Sequence, residues 1–269
     1  MSEKKTVQTL MDLSGRRALV TGATGHLGRT IAETLAELGA NLILLDRNHR
    51  ALSSLTNEMT GQWGVQVNNI ACDLEDDAQR NLAIEGVISQ YSDLNILINN
   101  AAFVGDSSLD GWNVPFKDQS LSTWRRAIEV NLTAAFHLSQ ALLPLLMTSQ
   151  NASIINIASI YGQYGPDWSL YEGSDMYNPA AYAVSKGGLL QFSRWLATTA
   201  APLVRVNSVS PGGILRKQPE IFIERYARKT PLGRMACEDD FKGVIAYLAS
   251  DLSSYVTGQN ITIDGGWGV

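Results

Sequence analysis

Short β-rich runs alternate with helix-period stretches along nearly the whole chain, and this alternation limits the fold more than any single residue does. The runs lie at 17–20, 41–45, 65–70, 94–99, 153–157, 204–209 and 260–263. Stretches with apolar residues at helical spacing fill about 28–38, 48–60, 75–91, 122–148, 179–200 and 238–250. Parallel strands need a long crossover between them, usually a helix, and helices then cover both faces of the sheet. The expectation is a doubly wound α/β fold with a seven-stranded, mostly parallel sheet and helices on both faces. With no Ser/Gly/Pro-rich linker and no internal repeat, residues 1–269 form one expected domain. Its least patterned stretches, 103–119, 161–178 and 212–229, each follow an expected strand and become candidate pocket walls; the last two are expected substrate-loop insertions.

Composition narrows the partners. A formal charge of -5 disfavours attraction to nucleic acid or to an anionic membrane. No apolar run approaches the roughly 18 residues that span a bilayer, and residues 1–13 lack the apolar core of a signal peptide. A cytoplasmic protein with a small-molecule substrate is expected, without nucleic acid or membrane as partner. Cys72 and Cys237 have no zinc-binding spacing, so two reduced, largely buried thiols and no metal are expected.

The first strand runs straight into the turn Thr21 to Gly28, TGATGHLG, and then into a helical stretch with Ile31, Leu35 and Leu38 at its apolar positions. Gly22, Gly25 and Gly28 let the backbone turn sharply and approach a pyrophosphate, which then meets the free N–H groups of the helix. This strand, turn and helix point to a dinucleotide-binding Rossmann fold. Asp46 ends the second strand, where a carboxylate accepts from the adenosine ribose hydroxyls and repels a 2′-phosphate, favouring NAD. Arg47 and Arg50 follow it and suit the 2′-phosphate of NADP, so NADP stays open as the alternative.

Tyr182 and Lys186 stand at i and i+4 in a helical stretch that Pro179 opens, so both project from one face. A free phenol titrates near pH 10, and a neighbouring ammonium favours the phenolate. The pair is therefore a candidate acid/base for proton transfer at a hydroxyl.

These residues, with others in fixed order, resemble the short-chain dehydrogenase/reductase family in its classical form. The shared features are the glycine turn, Asp73 after the third strand, Asn99-Asn-Ala-Ala102 after the fourth, Asn131 in EVNL, Ser159 in NIAS and the YAVSK run. Asn207-Ser-Val-Ser-Pro-Gly-Gly213 and the closing Val256-to-Gly266 segment complete the set. The resemblance implies an NAD(P)-dependent dehydrogenase or reductase interconverting a secondary alcohol and a ketone. In it Tyr182 exchanges the hydroxyl proton, Ser159 orients the substrate oxygen, Lys186 lowers the phenol pKa and binds the nicotinamide ribose, and Asn131 holds a relay water. It also implies cofactor contacts from Gly22, Thr24, Gly25, His26, Leu27, Asp46, Arg47, Asp73, Leu74, Asn100, Ala101, Pro211, Gly212 and Ile214, besides Tyr182 and Lys186. Asp73 is expected to meet the adenine and Asn100 to line the nicotinamide side. Relatives of this kind are commonly tetramers, so a homo-oligomer, tetramer or dimer, is expected, with Trp267 as a candidate interface residue.

Two features depart from the family pattern. His26 stands where classical members have the central glycine of the turn, an arrangement associated with extended members acting on nucleotide sugars. Ser159 and Tyr182 are 23 residues apart, about ten more than usual. The extra segment carries Tyr161, Tyr164 and Trp168, whose faces suit a sugar or other polyol. Arg216 stands where many members have a threonine touching the cofactor amide, and its fork suits a phosphate or carboxylate. A sugar, polyol or sugar-phosphate-like substrate is the expectation. A 3-oxoacyl carrier-protein reductase, a nucleotide-sugar epimerase or dehydratase and a noncatalytic binding protein on the same fold are the alternatives.

Overall fold

The computed structural model describes residues 5–104 and 109–269. Residues 1–4, at the start of the segment assessed for a signal peptide, and residues 105–108, within one candidate pocket wall, lie outside the described residues.

A short helix α1 (Val7–Met11), not expected from the sequence pattern, precedes β1 (Arg17–Thr21). Then follow α2 (His26–Glu37), β2 (Asn41–Asp46), α3 (His49–Trp63), β3 (Val67–Ala71), α4 (Asp77–Gln90) and β4 (Ile96–Asn99). The second half has α5 (Leu121–Ile128), α6 (Ala134–Met147), β5 (Ala152–Ile157), α7 (Ala180–Ala200), β6 (Val204–Pro211), α8 (Glu220–Lys229), α9 (Lys242–Ala249) and β7 (Asn260–Ile263). The strands form one seven-stranded sheet in the order β3-β2-β1-β4-β5-β6-β7. Every pairing is parallel, so the sheet is wholly rather than mostly parallel. Chain order reverses between β1 and β4, which opens the crevice where α/β sheets hold ligands.

The strands are apolar on both sides because both sides are covered. Alternate residues of one strand separate to opposite faces: Ala18 and Val20 join the core under α2, α3 and α9, with Ile31, Leu52 and Ile245. Leu19 of the same strand joins the core under α4, α6 and α7, with Ile84, Leu138 and Leu196. The register Leu19↔Ile43 and Leu19↔Leu97 continues this division across three strands.

Three sequence expectations need correction. The stretch 212–229 is not all loop: Phe222 and Tyr226, spaced at i and i+4, are buried and anchor α8, whose other positions are mostly Glu, Arg, Ala and Lys. A run long and apolar enough to span a membrane does exist, the helical segment Leu121–Met147; 44% of its most apolar window is buried, with Leu138, Leu142 and Leu146 packed on the sheet. The thiols also differ, since Cys72 is buried but Cys237 is exposed; neither is in a disulfide.

Candidate active site

The glycine turn is shaped by close backbone approach. A Cβ on Gly28 would lie 2.0 Å from the Gly22 carbonyl oxygen, and one on Gly22, whose φ is +62°, would lie 2.7 Å from the Cα of Ala101. No other residue type fits these two positions without moving the backbone. Thr21 Oγ1, absent from the expected site residues, accepts from the backbone N–H groups of Asn100 and Ala101, both at 3.0 Å. Asn100 was expected beside the nicotinamide. Its Nδ2 donates to the carbonyls of Thr21 (2.9 Å) and Gly22 (3.2 Å), so it braces the turn from β4.

Gly25 is the N-cap of α2 and no side chain caps that helix end. The first N–H groups of α2 are thus free to meet an anion, as a dinucleotide pyrophosphate requires. Asp46 sits at the tip of β2 with Oδ2 accepting from the Thr24 N–H at 3.0 Å and Oδ1 from Asn48 N–H at 3.2 Å. A carboxylate therefore faces the turn directly, whereas Arg47 is exposed beyond the strand. Asp73 and Leu74 follow β3, and Asp73 Oδ1 accepts from the Glu75 N–H at 3.0 Å. Pro211 ends β6, and a Cβ on Gly212 would lie 2.8 Å from the Asp264 Cα, another position restricted to glycine. Ile214 forms a bridge to Ala236, while Leu27 packs partly buried against the core under α2. Free N–H groups, a turn whose three glycines leave the backbone open to close approach and a carboxylate at the end of β2 fit a nicotinamide dinucleotide.

Tyr182 lies in the first turn of α7 and Ser159 just past β5, where the Ser159 Oγ accepts from the Tyr161 N–H at 3.2 Å. Burial pushes the phenol up, the neighbouring Ser159 hydroxyl pulls it down, and nearby Tyr171 pushes it up again, leaving a net upward shift. Lys186 is 2% exposed; its Nζ donates to the Ile157 carbonyl at 2.6 Å and lies 5.8 Å from the Tyr182 ring centroid. Burial lowers its own pKa to about 8. The expected lowering of the phenol by Lys186 is thus not what this structure shows, because the ammonium is turned to a backbone carbonyl and desolvation dominates both groups.

Asn131 occupies a π-helical turn, Glu129–Thr133, between α5 and α6. Such turns splay the backbone and often mark functional positions. Its Oδ1 accepts from the Phe103 N–H at 2.6 Å and its Nδ2 donates to Ser185 Oγ at 3.0 Å. Its side chain therefore ties the segment after β4 to the face of α7 between Tyr182 and Lys186.

The segment 161–178 folds into a small aromatic core with α8 and the C-terminus. Tyr161, Tyr171, Phe222, Tyr226 and Trp267 pack together. Tyr226 stacks on Trp267 with centroids 6.1 Å apart, and Tyr171 meets Phe222 edge-on at 5.3 Å. Trp267, a candidate interface residue, is spent inside its own chain at 4% exposure. Tyr161 is likewise mostly packing, leaving Trp168 at 53%, Tyr177 at 39% and Tyr164 at 38% exposure as the segment's accessible aromatic faces. The Tyr161 and Tyr171 hydroxyls are 2.6 Å apart, and Asn178 Nδ2 donates to Tyr171 at 3.5 Å. Sequence spacing gave no signal for Tyr171 or Asn178: their nearness to Ser159 and Tyr182 comes from the folded insertion. Arg216 is not free, since its guanidinium pairs with Glu238 at 2.7 Å. Among the described residues no cluster suited to a metal ion is found.

A sheet that opens onto a glycine turn, with a serine, a tyrosine and a lysine converging past β5, defines a nicotinamide-dinucleotide oxidoreductase. Known proteins are similar to this chain over nearly its whole length. The family model described as Enoyl-(Acyl carrier protein) reductase matches residues 22–268. A 3-oxoacyl-acyl-carrier-protein reductase of Thermotoga maritima is 35% identical over 263 residues, covering 95% of this chain and 99% of the relative. A gluconate 5-dehydrogenase of Burkholderia cenocepacia, solved with NADP and tartrate, superposes with a TM-score of 0.85 at 26% identity, covering 97% of this chain and 98% of that one. An NAD+-bound xylitol dehydrogenase superposes with a TM-score of 0.83 at 28% identity, covering 94% and 99%. The chain belongs to the short-chain dehydrogenase/reductase family, oxidoreductases acting on CH–OH groups with NAD or NADP.

Proposed function

We propose that this protein interconverts a secondary alcohol and a ketone on a sugar, polyol or sugar-phosphate-like substrate, with NAD as the preferred cofactor. The observation that carries the reaction is the placing of Ser159, just past the carboxyl end of β5, beside Tyr182 and buried Lys186 of α7. In the oxidative direction Tyr182 takes the hydroxyl proton while the carbon-bound hydrogen leaves as hydride. Ser159 holds the substrate oxygen by hydrogen bonding as it becomes a carbonyl. Bound nicotinamide supplies the hydride acceptor, or the donor in reverse. Lys186, on the same helical face, would turn from the Ile157 carbonyl to the ribose and the phenol. Asn131 would fix Phe103 and α7 around that pair, its splayed turn leaving a backbone carbonyl to hold the relay water.

The NAD preference rests on the Asp46 carboxylate held at the glycine turn, 3.0 Å from the Thr24 nitrogen, where a 2′-phosphate would be repelled. Asp46→Ala should weaken NAD more than NADP, by roughly tenfold in their affinity ratio, which is the loss of one to two ribose hydrogen bonds. An unchanged ratio in cofactor titrations would overturn the preference.

The polyol reading rests on exposed Trp168 and Tyr164 beside the Tyr161–Tyr171–Asn178 hydrogen-bond chain, which offers hydroxyl partners. A second reading, 3-oxoacyl carrier-protein reduction, is favoured by the relative from Thermotoga maritima, which bears that name. A panel of sugars, polyols, sugar phosphates and ketoacyl thioesters, each with both cofactors and followed by nicotinamide absorbance, separates the two. Turnover confined to thioesters with NADPH would displace the polyol reading.

Exposed Phe136 on α6 and Val184 and Trp195 on α7 give these helices apolar outer faces, which supports a homo-oligomer assembled through them. Cys72 and Cys237, neither in a disulfide, suit the reducing cytosol.

A further inference from the structure

Glu238 lies outside every residue assigned to the reaction, yet it joins His26 and Arg216, two residues at which this chain departs from the family pattern. The segment after β6 is laid beside residues 236–238 by paired backbone hydrogen bonds. Ala236 N–H donates to the Gly213 carbonyl at 2.9 Å, and Leu215 N–H donates to the Ala236 carbonyl at 2.8 Å. This pairing delivers Arg216 to Glu238, with a guanidinium-to-Oε1 distance of 2.7 Å. The same Oε1 lies 3.8 Å from Nδ1 of His26, the first residue of α2. One carboxylate thus links the segment following Pro211 to the glycine turn.

Its position is unfavourable for an anionic ligand. A dinucleotide diphosphate approaches the uncapped N-terminus of α2, and a carboxylate there repels it. The same carboxylate also occupies the one arginine of the segment 212–218, whose fork suits phosphate oxygens as well as carboxylate oxygens. Arg216 is ordered for that exchange: its backbone N–H donates to Gln218 Oε1 at 2.6 Å, and another guanidinium nitrogen donates to the Leu215 carbonyl at 2.7 Å. The side chains of Arg216 and Glu238 are about equally exposed, 29% and 28%, so the pair is open enough to separate.

We propose that Glu238 is a placeholder for the cofactor diphosphate. It holds Arg216 and His26 at the mouth of the glycine turn, and the arriving diphosphate displaces it from both. Glu238 is a positioning residue that acts through Arg216 and sets cofactor affinity and release. The inference rests on the dinucleotide site at the glycine turn and is independent of the substrate.

Calorimetric titration with ADP and with adenosine tests it, because only ADP carries the diphosphate. Glu238→Gln should bind ADP roughly two- to fivefold more tightly than the wild type, the range for one partly exposed ion pair, while adenosine affinity stays the same. Arg216→Gln should weaken ADP, and adding Glu238→Gln to it should then gain less than it does alone. Unchanged or weaker ADP binding by Glu238→Gln, or an equal change for adenosine, overturns the proposal while leaving the cofactor site standing. Wild-type protein that binds adenosine and ADP equally would remove the diphosphate site and the placeholder together.

Discussion

The glycine turn and the aromatic insertion, the two proposed walls of the site, are built by opposite means. In the turn, function depends on side chains that are missing: Gly22 and Gly28 permit contacts that a single Cβ would block. In the insertion, position depends on side chains that are large, with Tyr161, Tyr171, Phe222, Tyr226 and Trp267 filling a core of their own. A backbone-built wall leaves a short contiguous motif in the chain. A packing-built wall leaves only scattered aromatics, because its partners are far apart in sequence.

The strongest test of the comparison lies where the two walls meet. Tyr182→Phe should cut turnover by about 10²–10⁴-fold, the usual worth of a general acid/base, with ADP affinity unchanged. Stopped-flow reduction of NAD would show it, and turnover near wild type would remove Tyr182 from the proton path.

Trp267→Ala should break the packing-built wall alone. Loss of a large buried aromatic costs about 3–5 kcal/mol, read as a shift in urea midpoint at constant m. ADP affinity should stay near that of the wild type, and parallel losses in both would show that the walls are not independent.

Gly28→Ala should break the other wall. The added Cβ at 2.0 Å from the Gly22 oxygen forces the turn apart. ADP affinity should fall by more than about tenfold, with a stability loss of about 1–3 kcal/mol as for other overpacked sites. Intact ADP binding would refute the close-approach account.

Lys186, between the walls, gives the smallest and most specific signal. Its pKa is lowered by burial from 10.5 to about 8, so between these values the unfolded chain holds a proton that the folded chain has released. The Lys186 contribution to stability should therefore rise with pH across this window, by on the order of 1 kcal/mol or more, against the opposing fall from Cys72, whose thiol burial pushes up to about 11; urea unfolding of the cofactor-free protein reads the sum. Below pH 8 both states are protonated and the penalty of burying the charge is fully present. Lys186→Met should flatten this rise, and an identical slope in wild type and variant would show that Lys186 is not the group responsible.

Much of this was legible before folding was considered. The strand–helix alternation gave the seven-stranded α/β sheet, because period and β-branched content are local properties of parallel strands covered on both faces. Thr21 to Gly28, Tyr182 and Lys186 were legible for the same reason: one turn of backbone, or one turn of helix, contains the whole signal. Helix α8 was not, since Phe222 and Tyr226 acquire their meaning only from Tyr171 and Trp267.

The sequence by itself determined the fold class, the glycine turn and the Tyr–Lys pair, all of which rest on residues within a few positions of one another. Tertiary structure alone decided that Asn100 braces the turn, that Lys186 faces the Ile157 carbonyl and that Arg216 is already paired with Glu238. Those contacts join residues 22 to 79 positions apart. A polar side chain's partner is set by what folding brings beside it and by what burial denies it, and neither is a property of its neighbours in the chain.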